Sequence, residues 1–306
     1  MNMQAIGRKI SALRKERDMT QVDLADKLGV TYQAVSSWER GNSMPDIAKL
    51  PDISQVLAVS IDELLDDDKA TTIIKNVLTG QDFSQTPPDM ATVAEVAPIL
   101  KPSQVENLAG NSSSTDTEAI VAMACHLSSE TLKDIVLRCK DVDGKLLTQV
   151  ACHMESEDLK DIALHCKHLD SGTIANIACY MESEDLKEIA LHCKHLDSGT
   201  IANIACYMES EDLKEIALHC ENLSSGAVAN IACHMESEDL KEIVLRGNYD
   251  TATIANIACH MESEDLVEIA AQLVKNHGLK ALSDSGIFIH MDEEDIANAI
   301  KNTMRQ

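Results

Sequence analysis

Aromatic side chains are scarce in this sequence: one Trp, four Tyr and two Phe make up 2% of its 306 residues. That is too few for base-stacking platforms or for one large compact core, and it suits thin, repetitive helical layers. No run of about 18 apolar residues is present, so no membrane-spanning helix is expected. The polar N-terminus does not resemble a secretory leader. Together with ten cysteines, this points to a cytoplasmic protein carrying thiols and not a disulfide scaffold. There is no Gly-rich phosphate loop and no nucleophile elbow, and no carboxylate pair stands apart from acids that recur along the chain. His165 and Cys166 are adjacent, but neighbours on a helix point about 100° apart and make a poor dyad. The chain is therefore read as not an enzyme, with no catalytic residue, no metal site and no cofactor.

Acid is what the chain has in excess, with a net charge of −25, and the excess is unevenly placed. Residues 1–60 carry eight Lys/Arg against seven Asp/Glu, whereas residues 71–306 carry 17 against 39. The first region is near neutral, and Arg8, Lys9, Arg14, Lys15, Arg17, Lys27 and Arg40 are expected to gather on one side of it. The acidic remainder opposes nonspecific contact with nucleic acid and is not expected to supply a second nucleic-acid surface.

Within the neutral region, residues 21–45 read QVDLADKLGVTYQAVSSWERGNSMP. The spacing predicts two short helices joined at Gly29, which takes the positive φ of a tight turn. Leu24, Ala25 and Leu28 form the apolar face of the first helix. Val30, Val35 and Trp38 bury the turn and the inner side of the second, so Trp38 is core and not a base wedge. With Val35 inward, Gln33, Ser36, Ser37 and Arg40 lie on the opposite, polar side.

The segment resembles the lambda-repressor-like (XRE) helix-turn-helix family. The resemblance is carried by Gln21, Leu24, Ala25, Gly29, Ser36, Trp38, Glu39, Gly41 and Pro45, with an amphipathic helix before it over residues 6–17 and a closing turn and helix over 56–65. It covers about a fifth of the chain. It implies that Gln21 meets a phosphate of double-stranded operator DNA and that Thr31, Tyr32, Gln33 and Ser37 face the major groove. Gln33 has the amide that can bond adenine in bidentate fashion, and Tyr32 departs from the small or amide residue common at its position. Arg14 and Glu39 resemble a family salt bridge. A homodimer is expected, because one recognition helix reads only a few base pairs.

From about residue 91 the chain repeats. MESEDL begins at Met154, Met181, Met208 and Met235, 27 residues apart, and at Met261 after 26. Weaker copies begin at Leu100 and Leu127, and a degenerate one surrounds Met291, as in an array with divergent end units. Each unit reads as a short helix (residues 173–181, with Ile174, Ile177, Ala178 and Met181 inward) and a second helix (184 to about 195, with Leu186, Ile189, Ala190 and Cys193 inward). Ser183 is expected as the N-cap of the second helix, and Asp197-Ser198-Gly199 as the end of the unit. The predicted fold is all-α: a five-helix helix-turn-helix domain over residues 1–68, a connector over 69–90 with a short helix at 70–78, and an α-solenoid of two-helix repeats over 91–306. The period is shorter than a tetratricopeptide or HEAT unit, and no family is named for it.

Two ladders of side chains run along the repeats. Cysteines recur on the short helices (Cys125, Cys152, Cys179, Cys206, Cys233, Cys259) and on the long ones (Cys139, Cys166, Cys193, Cys220). One reading is small buried apolar side chains. The other is metal or redox sensing, which the exchange of His153 for Tyr180, His165 for Arg138 and His168 for Asn222 speaks against, since ligands must stay fixed. Acids recur as Glu182, Glu184 and Asp185, then Glu209, Glu211 and Asp212. They serve either as charges at helix starts or as a docking ridge for a basic protein or peptide partner, the chain's own N-terminal domain included. The functional expectation is a DNA-binding transcriptional regulator, a repressor by resemblance, whose repeats bind a partner, dimerise or sense an effector. The alternative is an antitoxin-like adaptor whose repeats grip a partner protein while DNA binding is secondary.

Overall fold

A computed structural model describes residues 3–65, 68–80, 88–112, 115–139, 144–166, 169–193 and 196–303, and every regular element among them is helical. The chain divides into two compact units, residues 1–140 and 141–306. Asp66, Asp67, Gln85, Thr86, Pro87, His168 and His195, on which some of the sequence expectations fall, lie outside the described residues.

The first unit opens with α1 (Met3–Glu16), α2 (Gln21–Leu28), α3 (Tyr32–Glu39), α4 (Leu50–Val56) and α5 (Ile61–Leu65). Thr20 starts α2 through a capping box. Its hydroxyl accepts the Asp23 N–H at 3.1 Å, and Asp23 in turn accepts the Thr20 N–H at 2.7 Å. Gly29 ends α2 at φ 64°, the left-handed conformation expected of it. Leu24, Ala25, Leu28, Val35 and Trp38 are buried as expected, while Val30 is only half-buried. The core is completed by Ile6, Ile10, Leu50, Ile53, Leu57 and Leu64. Sequence reasoning passed over Gly7, where a Cβ would stand 2.1 Å from the Trp38 carbonyl oxygen, so a glycine here lets α1 approach the end of α3.

After α5, α6 (Asp68–Thr79) covers the expected connector helix and buries Ala70, Ile73 and Ile74 against α5 and the helix Met90–Val96. Two helix pairs complete the unit, Met90–Val96 with Pro102–Asn111 and Thr117–Met123 with Ser129–Arg138.

The second unit is built from the clear repeats. Short helices (Gly144–Val150, Ser171–Ile177, Ser198–Ile204, Ser225–Ile231, Thr251–Ala258) lie side by side in one layer. Long ones (Ser156–His165, Ser183–His192, Ser210–His219, Ser237–Arg246, and the start of Ser263–Asp284) form the other. Ile174, Ile177, Ala178, Leu186, Ile189 and Ala190 fill the space between layers, as their spacing predicts. Neither layer buries its apolar face alone, so stacking supplies the stability.

Three expectations about the repeat are corrected. The short helix does not run straight to Met181. It ends at Ile177 and tightens into a 3-10 turn over Ala178–Tyr180, after which Met181 is extended at φ −116° and ψ 151°. The same turn recurs in the weaker copies, with Leu100, Leu127 and Met291 extended and buried in the place of Met181. Ser183 is not the N-cap, because Glu182 holds that position and Ser183 is the first helical residue, its hydroxyl turned to the next repeat. Asp197 does not end a unit. It caps the next short helix, its Oδ1 accepting the Thr200 N–H at 2.8 Å.

Candidate functional site

Helix α3 is held at both ends. Thr31 caps its start, accepting the Ala34 N–H at 3.2 Å. At its end, the buried Arg14 guanidinium donates to both Glu39 oxygens, Nε at 2.5 Å and Nη2 at 2.9 Å, and through Nη1 to the Met19 carbonyl. The expected salt bridge is thus bidentate. Gln21 donates through Nε2 to Glu39 Oε2 at 2.8 Å, so the first residue of α2 is tied to the last of α3. Burial favours the neutral form of Glu39. Hydrogen bonds from Arg14, Gln21 and Ser11 and the charge of Arg14 outweigh it and hold the carboxyl below its usual range. The Arg14 guanidinium is shifted up by its hydrogen bond to Glu39. Arg14 is therefore a brace and drops out of the expected basic face.

Of the residues assigned to DNA, Thr31, Tyr32, Gln33 and Arg40 are exposed on or beside α3, with Tyr32 53% exposed. Ser36 and Ser37 are half-buried, and Ser37 Oγ accepts a hydrogen bond from Ser43 Oγ at 2.8 Å. Gln21 lies at the first turn of α2, and in this structure its amide faces Glu39. A further link was missed: Lys49 Nζ donates to the Leu28 carbonyl at 3.0 Å, closing the end of α2. The signal was present in its place just before α4, but its target lies 21 residues away.

In the second unit the recurring Ser, Lys and Asp form rungs between repeats. Ser183 Oγ donates to Asp212 Oδ2 at 2.5 Å and accepts the Glu209 N–H at 2.8 Å. Lys187 Nζ lies 2.7 Å from Asp212 Oδ1 and 3.4 Å from Glu215. Ser156 with Asp185 and Lys160, Ser210 with Asp239 and Lys214, and Ser237 with Asp265 and Lys241 repeat the pattern. Ser263 with Asp295 closes the series, with Val267 where the lysine would be. Burial opposes the charged forms of Asp239 and Asp265, but their lysine and serine partners prevail and hold both carboxyls below the usual range. Asp185 and Asp212 thus belong to the stacking and leave the expected docking ridge. Glu182, Glu184, Glu209 and Glu211 are exposed.

The cysteine ladders separate. Cys125, Cys152, Cys179, Cys206, Cys233 and Cys259 are exposed, which corrects the buried reading for the short helices: the first five lie in the 3-10 turns, and Cys259 is the C-cap of its helix. Those of the long helices are buried or half-buried. Cys193 and Cys220 donate to the carbonyls of Ala163 and Ala190 in the preceding repeat, at 3.6 and 3.5 Å. Burial pushes the Cys139, Cys166 and Cys193 thiols up. Among the described residues no group of three His, Cys, Asp or Glu is placed to hold a metal ion, and no helix is long and apolar enough to cross a membrane.

A capped helix, a left-handed glycine and a braced second helix with polar residues outward define a helix-turn-helix protein. A helix-turn-helix family model matches residues 10–64. The HTH-type transcriptional regulator YazB of Bacillus subtilis is 38% identical over 69 residues, which span 22% of this chain and all of YazB. The HTH-type transcriptional activator BcrR of Enterococcus faecalis is 38% identical over 65 residues, 21% of this chain and 32% of BcrR. Repressor protein C2 of Salmonella phage P22 is 38% identical over 72 residues, 24% of this chain and 33% of C2. The chain belongs to the XRE-type helix-turn-helix family of DNA-binding transcriptional regulators. It spans only about a third of the length of BcrR and under half of that of the regulator YqaE. The apo form of the competence regulator ComR from Streptococcus vestibularis aligns over 100% of this chain and 98% of its own, at 15% identity and a TM-score of 0.22, a loose correspondence only.

Proposed function

We propose that this chain is a sequence-specific repressor that binds an operator as a homodimer in the cytoplasm, reading DNA through residues 1–68 and engaging a protein or peptide partner through the repeats of residues 91–306. The observation that carries the reading is α3 itself, fixed at its end by Arg14, Glu39 and Gln21 while Thr31, Tyr32, Gln33 and Arg40 stay exposed. A helix braced in this way presents Gln33 with little freedom to lose, and its amide suits adenine N6 and N7. Gln21 is assigned a phosphate, which its free second amide hydrogen can meet without releasing Glu39. Ser36 and Ser37 line the inner margin of the same face.

Selection from a random duplex-DNA library by the full-length protein tests this, with Gln33→Ala alongside. An inverted repeat is expected, with the variant losing preference at one position in each half-site. Failure of both proteins to enrich any sequence at moderate salt overturns the reading. The adaptor reading, in which the repeats grip a partner and DNA binding is secondary, is favoured by the exposed glutamates of the ridge. A protein partner copurifying in stoichiometric amount supports it.

A further inference from the structure

Among the described repeats of the second unit, the 3-10 turns carry His153, Tyr180, Tyr207 and His234 at one equivalent position. Tyr180 and Tyr207 are 44% and 46% exposed. The fold does not require these rings. With histidine at 153 and 234, the residue that follows keeps the same backbone, φ −116° and −119° against −116° and −117° after the tyrosines. Two large aromatic faces in adjacent repeats are thus left to solvent.

Tyr207 lines an open groove of about 660 Å³ between consecutive repeats. Glu182, Glu184, Glu209 and Glu211 line it as well, together with the Ser183, Asp212 and Lys187 rung. The one cation of the groove, Lys187, is matched by Asp212 and Glu215. Glu182, Glu184 and Glu209 have no ion-pair partner among the described residues, and Glu211 lies 3.9 Å from Lys214. An aromatic face next to uncompensated carboxylates fits a lysine or arginine side chain, held by the ring and by charge together. Tyr180 exposes its ring at the equivalent position one repeat earlier.

The spacing restricts the ligand further. Neighbouring packed helices lie about 8–10 Å apart, so the two ring positions recur at that interval. A polyproline II chain rises about 3.1 Å per residue, which brings every third side chain to the same side at about 9 Å. We propose that the Tyr207 groove and the exposed Tyr180 ring bind a basic segment of a protein partner in extended, polyproline II form, with Lys or Arg at every third position. This deepens the partner role given to the repeats above and rests on it.

Fluorescence anisotropy at 0.15 M salt tests it, using the full-length protein and a fluorescein-labelled peptide of four Lys-Pro-Pro units. The control is a peptide of the same composition with its four lysines adjacent. The spaced peptide binds about fivefold more tightly than the control if the two ring positions act together. Tyr180→Ala with Tyr207→Ala weakens it about tenfold, the scale set by two exposed cation–π contacts, with the circular dichroism melt and the operator selection unchanged. Equal affinity for both peptides, or no loss in the double variant, overturns the proposal. A protein that selects an operator but binds neither peptide loses the groove and keeps the regulator reading. One that binds the spaced peptide and selects no DNA loses the regulator reading and keeps the groove.

Discussion

The helix-turn-helix region and the repeats hold themselves together in opposite ways. The first has a single network that joins residues far apart in sequence: Arg14, Met19, Gln21 and Glu39 meet once, in a buried place. The second has one modest rung, used again at every step from Ser156 to Ser263. A unique network fixes one geometry, as the proposed base-reading role of α3 requires, and fails as a whole when one member is removed. A repeated rung joins only nearest neighbours, so damage stays local. Trp38 is the only tryptophan and lies in the first region, so its fluorescence follows that region, while far-UV circular dichroism is dominated by the repeats.

The largest difference between the regions is expected from acid. Glu39, Asp239 and Asp265 all have folded carboxyl values below the ordinary range. Each then adds stability that is present above the unfolded value, about 3.9–4.3, and is lost as pH falls through the depressed folded value. The repeats of the second unit hold four such groups, Asp197, Asp239, Asp250 and Asp265, against two in the helix-turn-helix region, Asp23 and Glu39, so far-UV ellipticity is expected to fall at a higher pH than the Trp38 signal. Coincident acid transitions would show that the two regions unfold together.

The largest single-residue effect belongs to the network. Glu39→Gln leaves the buried Arg14 charge without its counter-ion, an omission that costs about 3–5 kcal/mol in buried pairs. The Trp38 transition in urea should move strongly while the ellipticity of the repeats keeps its midpoint. Gly7→Ala follows, at about 1–3 kcal/mol for an overpacked contact, since the added methyl meets the Trp38 carbonyl oxygen at 2.1 Å. An unshifted Trp38 midpoint in either variant would remove the contrast between the regions.

What was legible in the sequence follows the same division. Apolar spacing located nearly every helix and its buried face, because a periodicity of 3.6 is a local property: Leu24, Val35, Ile174 and Leu186 are all buried as read. The Arg14 and Glu39 pair was legible only through family resemblance, and Gly7 and Lys49 were missed because their partners lie in distant helices. In the repeats the residues were visible and their roles were not. Ser183 has the chemistry of an N-cap and sits one residue too late to be one. Asp185 and Asp212 look like surface acids until stacking places the preceding repeat's serine and lysine against them. Five of the six outward cysteines sit in a 3-10 turn, a change of helix type that an apolar pattern does not report.

The rungs make a smaller and more local prediction. Ser210→Ala removes both the hydroxyl that donates to Asp239 and the acceptor of the Glu236 N–H. A loss of about 1–2 kcal/mol is expected, with Lys214 still opposite Asp239. Native-state hydrogen exchange should show faster amide exchange in the helices starting at Ser210 and Ser237, with α1 and α3 unaffected. Faster exchange in α3 would mean that the rungs act beyond their neighbours.

The smallest effect is expected at the outward cysteines, where the contrast becomes one within a single repeat. Cys179 and Cys206 are exposed and their thiols donate to the carbonyl three residues back, at 3.8 and 3.6 Å, so Cys179→Ser with Cys206→Ser should change stability by less than about 0.5 kcal/mol. Cys193 is buried and donates to the Ala163 carbonyl of the preceding repeat, and its thiol is pushed up by burial. Cys193→Ser places a more strongly hydrated hydroxyl in that apolar contact and should cost more than the outward pair combined. A thiol reagent separates the two sets without substitution: the six exposed cysteines should react first, while Cys139 and Cys193 wait for unfolding. If Cys193 reacted as fast as Cys179 in the native protein, the seam between the long helices would open readily. Stacking in the repeats would then rest on the Ser and Asp rungs more than on the apolar layer between them.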